Sequence, residues 1–203
     1  MPSHPMIRKV LKLSSLPIAA PSANIFGRIS PTSSEDVLKE LEGKVNYVLD
    51  GGKCEVGIES TVISFVEGEI RILRPGFVTK EEIEAVTGKK VFEGNTGDIL
   101  SPGLLKFHYA PVTPLYLTES ISNFERLEDR NAGILDFTSY EDLRKLAADF
   151  FSLLRKFDES GYDFIITQKV EDRDLGIAIN DRLEKASKGI AELINGKLKF
   201  TEK

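Results

Sequence analysis

The chain has 203 residues, 41% apolar and 29% charged, with 27 Lys and Arg against 32 Asp and Glu and a formal net charge of −5. This is a globular composition, neither disordered nor fibrous, and long enough to bury roughly 70% of the surface its unfolded form exposes. The acidic balance excludes a general nucleic-acid coat, which needs clustered Lys and Arg, and no run approaches the about 18 apolar residues of a membrane span.

Residues 1–20 lack the basic start and apolar centre of a secretion signal. Cys54 is the single cysteine, so it can form neither an internal disulfide nor a Cys-rich zinc site. It reads as a small buried hydrophobe in a reducing compartment. A cytoplasmic protein with no membrane partner is expected.

Met6, Val10, Leu11 and Leu13 fall at helical spacing, and Pro17 ends that helix because its predecessor is steered out of the helical region. Leu16 to Ala20 is a short apolar run that predicts a buried strand. The Pro-, Ser-, Gly- and Asn-rich stretch from Pro21 to Ser34 is a loop. Ser34, ahead of Glu35 and Asp36, caps a short helix to Glu42. Strands are predicted at Val45–Leu49 and Thr61–Val66, with a turn at Glu67-Gly68-Glu69 into Ile70–Leu73. Thr79 with Glu82 makes a capping box for a helix to about Val86, which Gly88 stops.

From residue 88 to 113 both periodicities fail, and the Gly- and Pro-rich composition predicts a linker. The pattern then restarts with strands at Leu115–Leu117 and Gly133–Phe137. A long amphipathic helix follows over Ser139–Glu159, then a strand at Phe164–Thr167 and a helix over Ile177–Ile194. Strand and helix in alternation predict a small α/β layer with a parallel sheet. The division expected is 1–93, a linker at 94–113, and 114–203.

Chemistry concentrates in a few segments. A predicted strand end runs into Ser22 and Asn24, whose hydroxyl and amide suit phosphate oxygens or a Mg²⁺-bound water. The same residues also make ordinary turns. Ser60 and Thr61 open one hairpin strand and Arg74 closes the next, so the two ends lie near each other. Arg74 has a fork suited to phosphate or carboxylate, although a solvated strand-end charge reads equally from its position. His4 and His108 are the two histidines. Each reads as a surface side chain, and His108 alternatively fixes the loop beside Tyr109. No Ser-His-Asp arrangement and no metal-ligand cluster is legible.

Taken in order, Pro21 to Asn24 with Gly27 to Thr32, Asp50 to Gly52, Gly57 to Val62, Leu73 to Gly76, and Ser101 to Gly103 with His108 to Pro111 resemble the YrdC-like threonylcarbamoyl-AMP synthases. The form with an extra C-terminal domain matches best, and Leu175 to Leu183 resembles it more loosely. The resemblance implies the C-terminal part of a YrdC-like α/β catalytic domain, a linker, and a small Rossmann-like α/β domain. It further implies formation of L-threonylcarbamoyl-AMP from L-threonine, bicarbonate and ATP with Mg²⁺, for tRNA modification.

By the same resemblance Ser22, Asn24, Ser30, Arg74 and Tyr109 contact ATP, and Ala20 and Ser60 contact threonine. Tyr109 belongs to a linker that folds back as a lid. The chain opens inside the family pattern, without the Lys-x-Arg segment that grips the triphosphate. The expectation is therefore a truncated chain of impaired activity. It reads alternatively as a nucleotide- or RNA-binding remnant with weak tRNA contact, or as half of a split enzyme with a complementing N-terminal chain.

Overall fold

The computed structural model describes residues 2–66, 68–94, 108–124 and 131–203. The predicted linker therefore lies largely outside the described residues, as do the Ser101–Gly103 motif and Glu67 of the hairpin turn.

A five-stranded sheet anchors the second half of the chain. Its strands are β4 (Leu115–Thr118), β5 (Ala132–Leu135), β6 (Phe164–Gln168), β7 (Gly189–Ile194) and β8 (Lys197–Glu202), in spatial order β5-β6-β4-β7-β8. The first four are mutually parallel and β8 is antiparallel to β7. Helix α4 (Leu143–Asp158) crosses from β5 to β6, and α5 (Leu175–Ala186) from β6 to β7. Both crossovers advance in the same direction across the sheet, so one handedness puts both helices on one face. Strand β4 shows the resulting alternation: Leu115 and Leu117 join the helix-side core with Leu146, Phe150, Leu154 and Ile179, while Tyr116 packs on the other face with Phe164 and Phe200. This is the mixed α/β fold expected, with its parallel sheet.

The first half is built more sparely. Helix α1 (Pro5–Ser14) has Pro at its first turn and His4 as N-cap, whose Nδ1 accepts from Met6 N at 3.3 Å. Helix α2 (Ser34–Leu41) is capped by Ser33, one residue earlier than predicted, in a reciprocal box with Asp36. Strands β1 (Val62–Val66) and β2 (Glu69–Arg74) form the expected hairpin. Helix α3 (Lys80–Thr87) carries the predicted Thr79–Glu82 box and ends at Gly88 in the left-handed region. Strand β3 (Val91–Glu93), inside the predicted linker, runs parallel to β2 and completes a three-stranded sheet.

Several expectations are corrected. Leu16–Ala20 and Val45–Leu49 are not strands; both stretches are coil and mostly exposed. A strand is stable only where a neighbour takes its N–H and C=O groups, and among the described residues none lies beside either run. Residues 177–194 are not one helix: α5 ends at Ala186, and a hairpin follows whose two-residue turn, Asn195-Gly196, has φ of 54° and 73°. Asn-Gly is the preferred pair for a turn with both residues left-handed, so this hairpin was legible in principle. Cys54 is exposed rather than buried. No helix among the described residues is long and apolar enough to cross a membrane.

Candidate functional site

Residues 25–61 have little regular structure of their own, and two arginines of the α/β layer hold them. From α4, Arg155 donates Nε to the Ser30 carbonyl at 3.3 Å and Nη2 to the Ile29 carbonyl and to Glu40 Oε1. Its guanidinium also lies 3.9 Å from Asp36. From α5, the fully buried Arg182 donates Nε to Glu59 Oε2 at 3.2 Å and Nη1 to the Pro75 carbonyl at 2.5 Å. The fork of guanidinium donors lets one side chain satisfy several fixed acceptors at once. Ile29 and Ile58 complete the docking by joining the core of α4 and α5. Gly57 permits the close approach: a Cβ there would sit 2.1 Å from the Ala148 carbonyl oxygen.

Between these anchors the candidate groups converge. The Ser30 hydroxyl donates to Glu59 Oε1 at 2.7 Å, so the two carboxylate oxygens of Glu59 bridge Ser30 and Arg182. Arg74, at the end of β2 and 8% exposed, donates Nη2 to the Ser60 carbonyl at 2.8 Å and to its hydroxyl at 3.4 Å. The two ends of the hairpin thus meet as expected, and Phe77 N reaches the Glu59 carbonyl beside them.

Tyr109 closes the cluster. It is wholly buried with φ 65°, packs its ring 5.6 Å from Phe151, and carries the Arg182 guanidinium 5.4 Å from the ring centroid. A non-glycine residue in the left-handed region is held there by its surroundings. Here the main chain is strapped down on both sides. His108 N donates to the Lys185 carbonyl, Ala110 N donates to the Gly27 carbonyl, and the Val112 and Thr113 amides donate to the Asp158 carboxylate.

His108 stacks edge-on to Tyr109 at 4.1 Å and to Phe26 at 5.8 Å. Of its two readings, a surface side chain or a brace for the loop, the structure supports the brace. Burial lowers the His108 pKa; Glu59 opposes that, while Lys185, Arg74 and Arg182 add to it. Burial, then Glu59, raise the Tyr109 phenol, with Arg182 and Arg74 opposing. The Tyr109 hydroxyl and His108 Nδ1 are buried with no hydrogen-bond partner among the described residues. Buried polar atoms of this kind are uncommon.

The remaining candidates sit outside this cluster. Asn24 donates Nδ2 to the Ile25 and Arg28 carbonyls and so shapes its own loop. Ala20 and Ser22 are exposed on the coil before it, and neither joins the side-chain hydrogen bonds described above. Glu59, Arg155 and Arg182 were missed. The signal for Arg182 was a charge among Ala178, Ile179 and Leu183 on an otherwise apolar helix face. Glu59 lay inside a motif whose hydroxyls drew the attention.

An α/β layer of this topology clamps a hairpin and a polar loop beside Arg74 and Arg182. Residues 78–188 match the family model for the threonylcarbamoyl-AMP synthase C-terminal domain, and residues 1–76 match a second model described as telomere recombination. The chain belongs to the threonylcarbamoyl-AMP synthase family. It is 37% identical to the threonylcarbamoyl-AMP synthase of Bacillus subtilis, over 93% of this chain and 62% of that protein. It is 35% identical to that of Pyrococcus abyssi, over 92% and 62%.

Among solved structures, P. abyssi Sua5 complexed with L-threonine matches with a TM-score of 0.80 at 36% identity, over 92% of this chain and 62% of that one. A double His-to-Ala and Tyr-to-Ala variant of P. abyssi Sua5 matches with a TM-score of 0.75 at 33% identity. The chain therefore spans just over three fifths of the length of the relatives it matches.

Proposed function

We propose that this chain carries part of the site at which L-threonine, bicarbonate and ATP are converted to L-threonylcarbamoyl-AMP and pyrophosphate, for modification of the adenosine beside the anticodon of certain tRNAs. Family membership supports the reading. The observation that carries it is that Ser30 and Tyr109 meet on one Glu59–Arg182 pair, while Arg74 holds Ser60, the residue next to Glu59. Among the described residues, Arg74 and Arg182 act electrostatically on both His108 and Tyr109, as does Glu59.

In this reading Ser30, Arg74 and Tyr109 contact ATP together with Ser22 and Asn24, and Ser60 with the Ala20 backbone contacts threonine. Mg²⁺ enters with ATP as part of the substrate, held chiefly by phosphate oxygens and water. The threonine amine and bicarbonate condense to a carbamate with loss of water. A carbamate oxygen then attacks the α-phosphorus, and the bond to the β-phosphate breaks to release pyrophosphate. Such a step needs positioning and charge neutralisation more than a protein nucleophile. The Tyr109 segment acts as the lid that excludes water. The division into 1–93, a linker at 94–113, and 114–203 belongs to this reading, as does a cytoplasmic location.

A second observation bears on whether the chain acts alone. Leu16, Phe26, Tyr47, Leu49, Phe65 and Val86 are all more than 60% exposed, and among the described residues β1 is an edge strand with no neighbour on its outer side. Exposed apolar area and an open edge of this kind mark an interaction surface. We propose that polypeptide equivalent to the remaining length of the relatives covers it, and that turnover requires that cover.

The test measures threonine- and bicarbonate-dependent pyrophosphate release by the chain, alone and with the part of the B. subtilis relative that it does not match added as a separate chain. Release only on addition, abolished by Arg74→Ala, is expected. Weak ATP binding that Arg74→Ala removes, without turnover even on addition, identifies a non-catalytic binding protein instead.

A further inference from the structure

Arg182 lies on α5, within the α/β layer, yet three of its contacts reach the candidate ligand groups or their immediate neighbours. Its Nε holds Glu59, whose other carboxylate oxygen takes the Ser30 hydroxyl. Its Nη1 holds the Pro75 carbonyl, the peptide directly after Arg74. Its guanidinium plane faces the Tyr109 ring. Asp181 Oδ2, 2.9 Å from Nη1, steadies the same guanidinium and also pairs with Lys185, whose carbonyl receives the His108 amide. Segments 59–61, 74–76 and 108–110 therefore meet Arg182 directly, and segment 29–32, which Arg155 also holds, reaches it through Glu59. Arg182 is 0% exposed, so solvent neither screens these contacts nor competes for them.

We infer that Arg182 is a positioning residue for ligand binding: through it the α/β layer sets the mutual placement of the Ser30 hydroxyl, Arg74 and the Tyr109 lid. This rests on the proposed function for the identity of the ligand, but the geometry can be tested without it. Lysine keeps the charge and loses the fork, so it cannot hold Glu59 and Pro75 from two edges of a plane while facing Tyr109. Glu59→Gln removes the charge from the same link on the other side. It leaves α5 untouched, and so serves if Arg182→Lys fails to fold.

The experiment is amide hydrogen exchange on the full chain carrying Arg182→Lys or Glu59→Gln, with Mg·ATP binding measured by calorimetry on the same samples. The expected result is exchange at least tenfold faster, confined to residues 28–32, 58–61 and 108–112. β4, β6 and α4 should keep wild-type protection, and Mg·ATP affinity should fall at least tenfold at unchanged stoichiometry. Faster exchange throughout α4, α5 and β6 in both variants would overturn the inference, because Arg182 would then serve the core alone. Unchanged exchange in the three segments would overturn it too, as would unchanged affinity despite faster exchange. A wild-type chain that binds no Mg·ATP, alone or with the unmatched part of the B. subtilis relative added, refutes the functional reading, and the exchange pattern still decides whether Arg182 positions these segments.

Discussion

Replacing Arg155 with Met tests how the loop that carries Ser30 is held. The guanidinium is 10% exposed. It neutralises Glu40 at 2.5 Å and approaches Asp36 at 3.9 Å, carboxylates only 16% and 14% exposed, while also donating to the carbonyls of Ile29 and Ser30. Removing one partner of a buried pair costs about 3–5 kcal/mol, because the charge left behind has no compensation. Each orphaned buried carbonyl adds about 1–3 kcal/mol.

Residues 25–42 contribute few residues to the core, so undocking this segment relieves the penalty more cheaply than unfolding the α/β layer. A loss of about 3 kcal/mol corresponds to about a hundredfold larger open population. Tryptic cleavage after Lys39, which sits in α2, follows that population when opening is fast relative to cleavage. The expected outcome is cleavage there about a hundredfold faster in Arg155→Met, with an unchanged urea midpoint for the five-stranded sheet. Cleavage at the wild-type rate would refute the clamp. A large fall in the sheet's midpoint without faster cleavage after Lys39 would show that Arg155 serves the core instead.

His108 carries a pH dependence of defined sign. Its folded pKa lies below the usual 6.5, so the undocked residue binds protons more readily and stability rises with pH. The stabilisation of the lid is complete above about pH 6.5 and is lost as pH falls through the lower folded value. A histidine NMR titration, with His4→Gln to assign the signals, should give His108 a pKa below 6.5; a value at or above 6.5 contradicts its burial. Gly57→Ala forces a Cβ to within 2.1 Å of the Ala148 carbonyl oxygen. It should weaken docking of residues 57–61 by about 1–3 kcal/mol, seen as faster amide exchange at Ile58. Phe65→Lys, on the open edge strand, should reduce self-association in sedimentation velocity without lowering the thermal midpoint, since charge on an edge blocks pairing.

Local features were legible from local chemistry. The capping box at Thr79 and Glu82, the stop at Gly88, the hairpin through Arg74 and the strand–helix alternation after residue 114 all depend on neighbours within a few residues, where periodicity and turn chemistry act. The motifs from Pro21 to Pro111 likewise carried the family. Leu16–Ala20 and Val45–Leu49 failed because an apolar run becomes a strand only when another strand takes its hydrogen bonds, and the sequence cannot certify that neighbour. Asn195-Gly196 was a readable hairpin signal, but the apolar run before it imitated a helix.

The sequence by itself determined the Thr79–Glu82 cap, the hairpin through Arg74, the parallel-sheet class and which hydroxyls and guanidinium to suspect. Tertiary structure alone decided that Glu59 joins Ser30 to Arg182, that Arg155 and Arg182 reach from two helices to hold a poorly structured loop, and that Tyr109 is buried beneath a guanidinium. The physical reason is separation along the chain. Glu59 and Arg182 lie 123 residues apart, and a charge placed in an apolar helix face announces only that it needs a partner, never which one.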